Sequence, residues 1–206
     1  MQEAVAKQVA DNDANVEVDF SEAIVSQVEV LQGADERRFQ ALDTKTSNCL
    51  FIKTTLDHPD ELVAKLLGDV FDTGTTKARY IVKMFPALGT CRAVEDKIEK
   101  LVEELVSSYF ADRPLRTFAI LYKVRCNSLS REVILSVAVR AVHKVCPLSK
   151  VDLTNPDYVI SVDVLTTYAC VSIMKDFYKF KKYNLQGLAK AVEASRTFEH
   201  PEIPWN

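Results

Sequence analysis

"KVDLTNPDYVISVDVL", residues 150–165, decides how this chain is read. Proline fixes its own φ and bars the residue before it from helix, so Asn155-Pro156 marks a turn. With Thr154 it separates two expected strands, 150–153 and 157–165. "YACVSIMK" (168–175) reads as a further strand. Upstream, "SREVILSVAVRAVHKV" (130–145) reads as a helix, with Ser130 as N-cap and Glu132 favourably placed in the first turn. Before it, "RTFAILYKVR" (116–125) alternates as a strand does. Phe118, Ile120, Tyr122 and Val124 lie on one face, and Ala119, Leu121, Lys123 and Arg125 on the other.

Residues 94–110 form an amphipathic pattern in which Val94, Ile98, Leu101, Val102, Leu105 and Tyr109 follow helical spacing, ended near Pro114. Further back, 77–86 is expected as a strand stopped by Pro86, 58–71 as a helix with Pro59 in its first turn, and 48–54 as a strand. A helix is expected from Ser21, after an acidic mobile tail at 1–20, and Pro201 and Pro204 mark a loose end. Helix and strand are interspersed, so the class is α/β or α+β. Two lobes are expected, spanning 21–90 and 91–190 with a boundary near 87–92, followed by a C-terminal tail at 191–206.

The chain has 206 residues, 48% hydrophobic and 27% charged, enough to bury a sizeable core. No apolar run approaches the roughly 20 residues that cross a bilayer, and no signal-peptide pattern opens the chain. No membrane partner and an intracellular location are therefore expected. The formal net charge of −3 conceals an asymmetry. Residues 1–36 hold nine acids and one lysine, a net of −8, whereas residues 113–190 hold 13 basic and 5 acidic residues, a net of +8. An acidic arm thus masks a basic body.

Few motifs of catalysis are present. The five glycines are too dispersed for a phosphate-cradling loop, so no nucleotide cofactor of that kind is expected. The five cysteines and three histidines are scattered without the close-spaced pairs of a structural zinc site, so no metal is expected and the cysteines read as reduced, buried residues. His143, Cys126 and the aspartates Asp152, Asp157 and Asp163 are the side chains here that could serve catalysis. Each reads better as structural, because none has a partner in sequence.

The basic elements say more. Lys123 and Arg125 share a strand face, and Asn127 and Arg131 follow at the start of a helix, whose N–H groups suit phosphate. Arg140 and Lys144 form an i, i+4 pair on that helix. "DFYKFKKYN" (176–184) packs four aromatic residues and three lysines into nine positions. Lysines can track a phosphate backbone while exposed rings stack on unpaired bases. Phe177 and Phe180 have helical spacing and read as core ahead of base-stacking groups, leaving Lys179, Lys182 and Tyr183 as surface candidates.

Four stretches together carry a resemblance: "RYIVKMFPALGTCRA" (79–93), "FAILYKVRCNSLSRE" (118–132), "KVDLTNPDYVISVDVL" (150–165) and "CVSIMKDFYKFKKYNLQ" (170–186). Over about 36–188 the chain resembles the eukaryotic THUMP-domain proteins that serve as tRNA-binding adaptors of cytidine acetylation. The resemblance implies an N-terminal ferredoxin-like lobe followed by a THUMP domain. It implies a non-catalytic protein, without a cofactor of its own, that presents serine and leucine tRNAs to a separate RNA cytidine acetyltransferase making N4-acetylcytidine in the D-arm. It places the grip on the acceptor end of tRNA, and the location as nuclear or nucleolar ahead of cytoplasmic. The RNA-binding set expected on this basis is Lys123, Arg125, Asn127, Arg131, Lys175, Lys179, Lys181, Lys182, Tyr183 and Asn184. Two departures stand out. The family's Lys-x-Arg-Asn-Asn is Lys123-Val124-Arg125-Cys126-Asn127 here, and the glycine-rich strand that usually opens the first lobe does not precede the acidic segment. The alternative reading is a protein-interaction module whose basic face binds an acidic partner.

Overall fold

The computed structural model describes residues 37–110 and 116–199. The expected acidic tail and the helix from Ser21 lie outside them. The chain divides into units 1–40 and 41–206. β1 (Phe39–Leu42) spans that join and belongs to a two-stranded sheet with β2 (Phe51–Thr54). The break in contacts therefore falls after Gln40, and 87–92, expected as a lobe boundary, lies inside the second unit.

α1 (Pro59–Thr73) starts where Pro59 needs no N–H bond and where Asp60 and Glu61 complement the positive helix end. It stops at Gly74, whose φ of 71° is the left-handed cap geometry and whose N–H donates to the Val70 carbonyl at 2.9 Å. Val63, Leu67 and Val70, at helical spacing, are buried.

The main sheet has the order β3-β7-β6-β4-β5. Its strands are β3 (Gly89–Arg92), β4 (Thr117–Arg125), β5 (Lys150–Val151), β6 (Tyr158–Leu165) and β7 (Tyr168–Lys175). β4 runs parallel to β5 and β6, while β7 is antiparallel to β6 and β3. α2 (Glu95–Phe110) precedes β4, and α3 (Arg131–Val145) follows it. Ser130 caps α3 as expected, accepting from the Val133 N–H at 3.3 Å.

Alternation along the strands feeds two cores. On one face Phe118, Tyr158, Ile160, Val162, Val171 and Ile173 pack with Ile98, Val102, Val106 and Phe110 of α2 and with Ile134, Val137 and Val142 of α3. On the other, Ala119, Val159 and Met174 pack with the buried stripe of α1 and with Leu185 and Leu188 of α4 (Leu185–Glu199). A sheet covered on both sides explains why β6 is buried almost end to end.

Four expectations change. Residues 77–86 do not form a strand; their only ladder contact is an isolated bridge between Lys83 and Asn184. The segment lies against the loop before α4, with no sheet edge to join. The stretch from 191, expected as a tail, is helical to Glu199, since α4 carries Leu185, Leu188, Ala189 and Val192 at helical spacing onto the second core. β5 ends at Val151, because the next residue turns the chain: Asp152 Oδ1 accepts from the Thr154 and Asn155 N–H groups at 2.8 and 3.1 Å. Val94, expected on the buried face of its helix, precedes α2 and is 52% exposed.

Candidate nucleic-acid interface

The run 176–184 folds as a knot of rings with its lysines turned outward. Phe177 and Tyr183 are both buried and stack at 6.0 Å with 27° between planes. Phe85 approaches Phe177 at 6.4 Å and Tyr183 at 6.1 Å. Lys179, Lys181 and Lys182 remain exposed. The backbone turns tightly: Lys181, Lys182 and Tyr183 have φ of 49°, 60° and 56°. A non-glycine residue in that region costs on the order of 1–3 kcal/mol, so packing of the rings must hold three in succession.

This packing corrects three expectations. Tyr183 is no surface ring: its hydroxyl donates to the Lys175 carbonyl at 2.9 Å, and its side chain is enclosed. Asn184 Oδ1 accepts from the Gly187 N–H at 2.8 Å, capping α4. Asn127 is used at both ends, its Nδ2 donating to the Thr166 carbonyl at 2.6 Å and its Oδ1 accepting from the Leu129 N–H at 2.8 Å. Both asparagines close turns, Asn127 with both ends of its amide on the backbone and Asn184 with its oxygen.

Burial pushes the Tyr183 hydroxyl up to about 12. The unfolded chain ionises this phenol near its ordinary value of 10.0, before the folded chain does. Stability present below that value is therefore lost as pH rises towards about 12, by up to roughly 1.4 kcal/mol per pH unit. Urea unfolding at a series of alkaline pH values measures it. In Tyr183→Phe the part of the fall due to this group is expected to vanish.

A cavity of about 510 Å³ opens beside the ring knot. Arg116, Asp157, Tyr158, Lys175, Tyr178 and Lys179 line it. It sits where β4 and β6 begin and β7 ends, because Tyr158 lies opposite both Phe118 and Lys175 in the sheet. Two cations share one ring: Arg116 Cζ is 5.7 Å and Lys175 Nζ 5.5 Å from the centre of Tyr158. The Thr117 N–H, first, and then the Thr117 hydroxyl and Arg116 hold the Asp157 carboxylate below its ordinary range, against partial burial. Tyr178 is fixed as a wall by its hydroxyl, which donates to the Leu153 carbonyl at 2.8 Å. Tyr158 is buried against Phe110 at 4.8 Å, so the ring exposed beside these charges is Tyr178, and a cation next to an exposed ring is what a phosphate-linked base requires.

Lys182 extends this surface, its Nζ 5.8 Å from the Tyr178 ring, while Lys179 stands 5.2 Å over Phe71. Lys123 lies 6.0 Å over Phe85. Lys179, Lys182 and Lys123 thus stand over rings of the knot and its neighbours, whereas Arg116, Lys175 and Tyr158 meet at the strand end on the Phe118 face of the sheet, and the cavity with Tyr178 and Lys179 in its wall opens beside them. Arg131 joins neither group: it lies 5.5 Å over Tyr122, on the face of β4 opposite Lys123. Arg125 ends β4, its carbonyl accepting from the Thr166 N–H at 2.9 Å. Lys181 is exposed on the loop. Arg140 and Lys144 are engaged by Glu99 and Glu103 of α2 at 2.5 and 2.6 Å. Arg116 and Tyr158 were missed because only strand register brings them together, although both lie within the expected strands 116–125 and 157–165.

Among the described residues no group of three or more His, Cys, Asp or Glu side chains could hold a metal ion, and no helix is long and apolar enough to cross a membrane.

Residues 92–174 match the THUMP domain family. The chain is a THUMP-domain protein. It is 36% identical over 168 residues to THUMP domain-containing protein 1 of Mus musculus, covering 81% of this chain and 47% of that protein. The Homo sapiens protein of the same name is 36% identical over 156 residues, covering 75% of this chain and 44% of that one. The chain spans about half the length of these curated relatives. The crystal structure of PH1313 from Pyrococcus horikoshii Ot3 shares the fold with a TM-score of 0.51 at 16% identity, covering 71% of this chain and 43% of that one.

Proposed function

We propose that this chain is a non-catalytic tRNA-binding adaptor that presents serine and leucine tRNAs to an RNA cytidine acetyltransferase forming N4-acetylcytidine in the D-arm. The observation that carries the reading is the union of a 510 Å³ cavity, with the exposed Tyr178 ring in its wall, and the cations Arg116, Lys175, Lys179 and Lys182 around it. An unpaired nucleotide at the acceptor end has a π-face for a tyrosine and a phosphate for a lysine. Duplex beyond it offers phosphates alone, which Lys123 and Lys181 can meet without reading sequence. The THUMP family match and the relatives named above support placing that RNA as tRNA. In this reading the acetyltransferase supplies acetyl-CoA and ATP chemistry, and this chain contributes affinity and orientation.

Reconstitution tests it. Serine tRNA, the acetyltransferase, acetyl-CoA and ATP are incubated with and without this chain, and N4-acetylcytidine is measured by mass spectrometry. Modification is expected only with the chain present, and no product from the chain without the enzyme. Equal modification with and without it contradicts the adaptor role.

A further inference from the structure

Lys83 lies in the quoted stretch 79–93 but is not in the RNA-binding set expected from the sequence, yet two backbone segments and a strand lysine approach it. Its bridge to Asn184 is flanked by the Met84 N–H donating to the Tyr183 carbonyl at 3.3 Å and the Leu185 N–H donating to the Val82 carbonyl at 3.0 Å. Those bonds leave 83 and 184 as a non-hydrogen-bonded antiparallel pair, the geometry that brings two side chains nearest on one face. Two residues before Asn184 stands Lys182, held at φ 60° with its N–H on the Phe177 carbonyl at 2.7 Å. Two residues after Lys83 comes Phe85, and the Lys123 ammonium lies 6.0 Å from that ring. The bridge, the tight turn before Asn184 and the Phe85 ring thus bring the 77–86 segment, the ring knot and Lys123 of β4 to one neighbourhood.

The electrostatics agree. Partial burial, then Lys123 and Lys182, push the Lys83 amine below its ordinary range, and Asp163 of β6 opposes them. That carboxylate accepts the Ser161 hydroxyl at 2.6 Å, and no ion pair joins it to any of the three lysines among the described residues. Three cations gathered with one distracted acid form a site that an external anion would complete.

We propose that Lys83, Lys123 and Lys182 form one seat for a phosphate of the RNA backbone, separate from the cavity. The seat rests on the tRNA-binding reading for its ligand. Lys182 also faces the Tyr178 ring, a wall of the cavity, so one strand leaving the cavity passes from Tyr178 to the seat.

The test uses the full chain in two ways. Limited acetylation with an amine-reactive ester, read by mass spectrometry, compares Lys83 with the exposed Lys65 of α1, alone, with pyrophosphate and with serine tRNA. Lys83 is expected to be protected several-fold by both anions and Lys65 by neither. Separately, Lys83→Gln is expected to reduce the slope of log affinity for tRNA against log salt by about one, and Lys65→Gln to leave it unchanged. Normal tRNA binding with an unchanged slope and an unprotected Lys83 overturns the seat and leaves the tRNA reading intact. Protection by pyrophosphate in a chain that does not bind tRNA overturns the assignment to RNA, and with it the tRNA reading.

Discussion

Phe177→Ala is expected to destabilise the fold by about 3–5 kcal/mol, the usual loss when a fully packed phenylalanine is removed from a core that cannot collapse around the void. The side chain is 4% exposed and lies between Phe85, Tyr178 and Tyr183, at 6.4, 5.4 and 6.0 Å. Its ring also holds down the three left-handed residues at 181–183, so strain stored there is released when it goes. Phe177→Leu keeps most of the volume and is expected to cost less. Urea unfolding of both variants against the parent chain measures the difference. A loss below about 1 kcal/mol in the alanine variant would place the ring outside the core.

Arg116→Ala/Lys175→Ala is expected to spare the fold and impair RNA binding. The lost ion pair of Arg116 with Asp157, at 3.4 Å, is partly exposed, and such pairs contribute about 0–1 kcal/mol. Both cations flank Tyr158 at the cavity mouth. If each meets a phosphate, the salt slope falls by about two, and affinity near physiological salt falls by on the order of ten- to a hundredfold. Arg140→Ala/Lys144→Ala removes the same charge from the outer helical face, where both side chains are already held by glutamates. That variant is expected to keep the salt slope. Equal losses from the two double variants would mean that net charge, and no particular surface, governs binding.

Much of the fold was legible because its signals are local. Ser130 caps its helix, Asn155-Pro156 precedes β6, and residues 168–175 form β7 as the alternation of "YACVSIMK" indicates. The strand expected at 77–86 failed because β-like composition does not supply an edge to pair with, and this segment meets only the loop before α4. α4 was missed because its apolar residues are few and interleaved with small ones, and the helix forms only where α1 and the ring knot offer a surface. At the site, the lysines were readable as charge, but burial was not. Phe177 read as core from its spacing and is buried, whereas Tyr183, expected at the surface, is shown as core only by its stacking on Phe177. Arg116, Lys83 and Tyr158 acquire meaning from register and from the bridge to Asn184, which no window of sequence displays.

The most direct test of the adaptor reading is filter binding of this chain to serine tRNA, intact and with its 3′ single-stranded end removed, across a salt series. The expected result is tighter binding of intact tRNA at every salt concentration, with a steeper salt dependence than for the trimmed form, because phosphates of the missing end no longer meet the cavity cations. Identical affinities and slopes for the two tRNAs would contradict a grip on the acceptor end and favour a basic face made for an acidic protein partner.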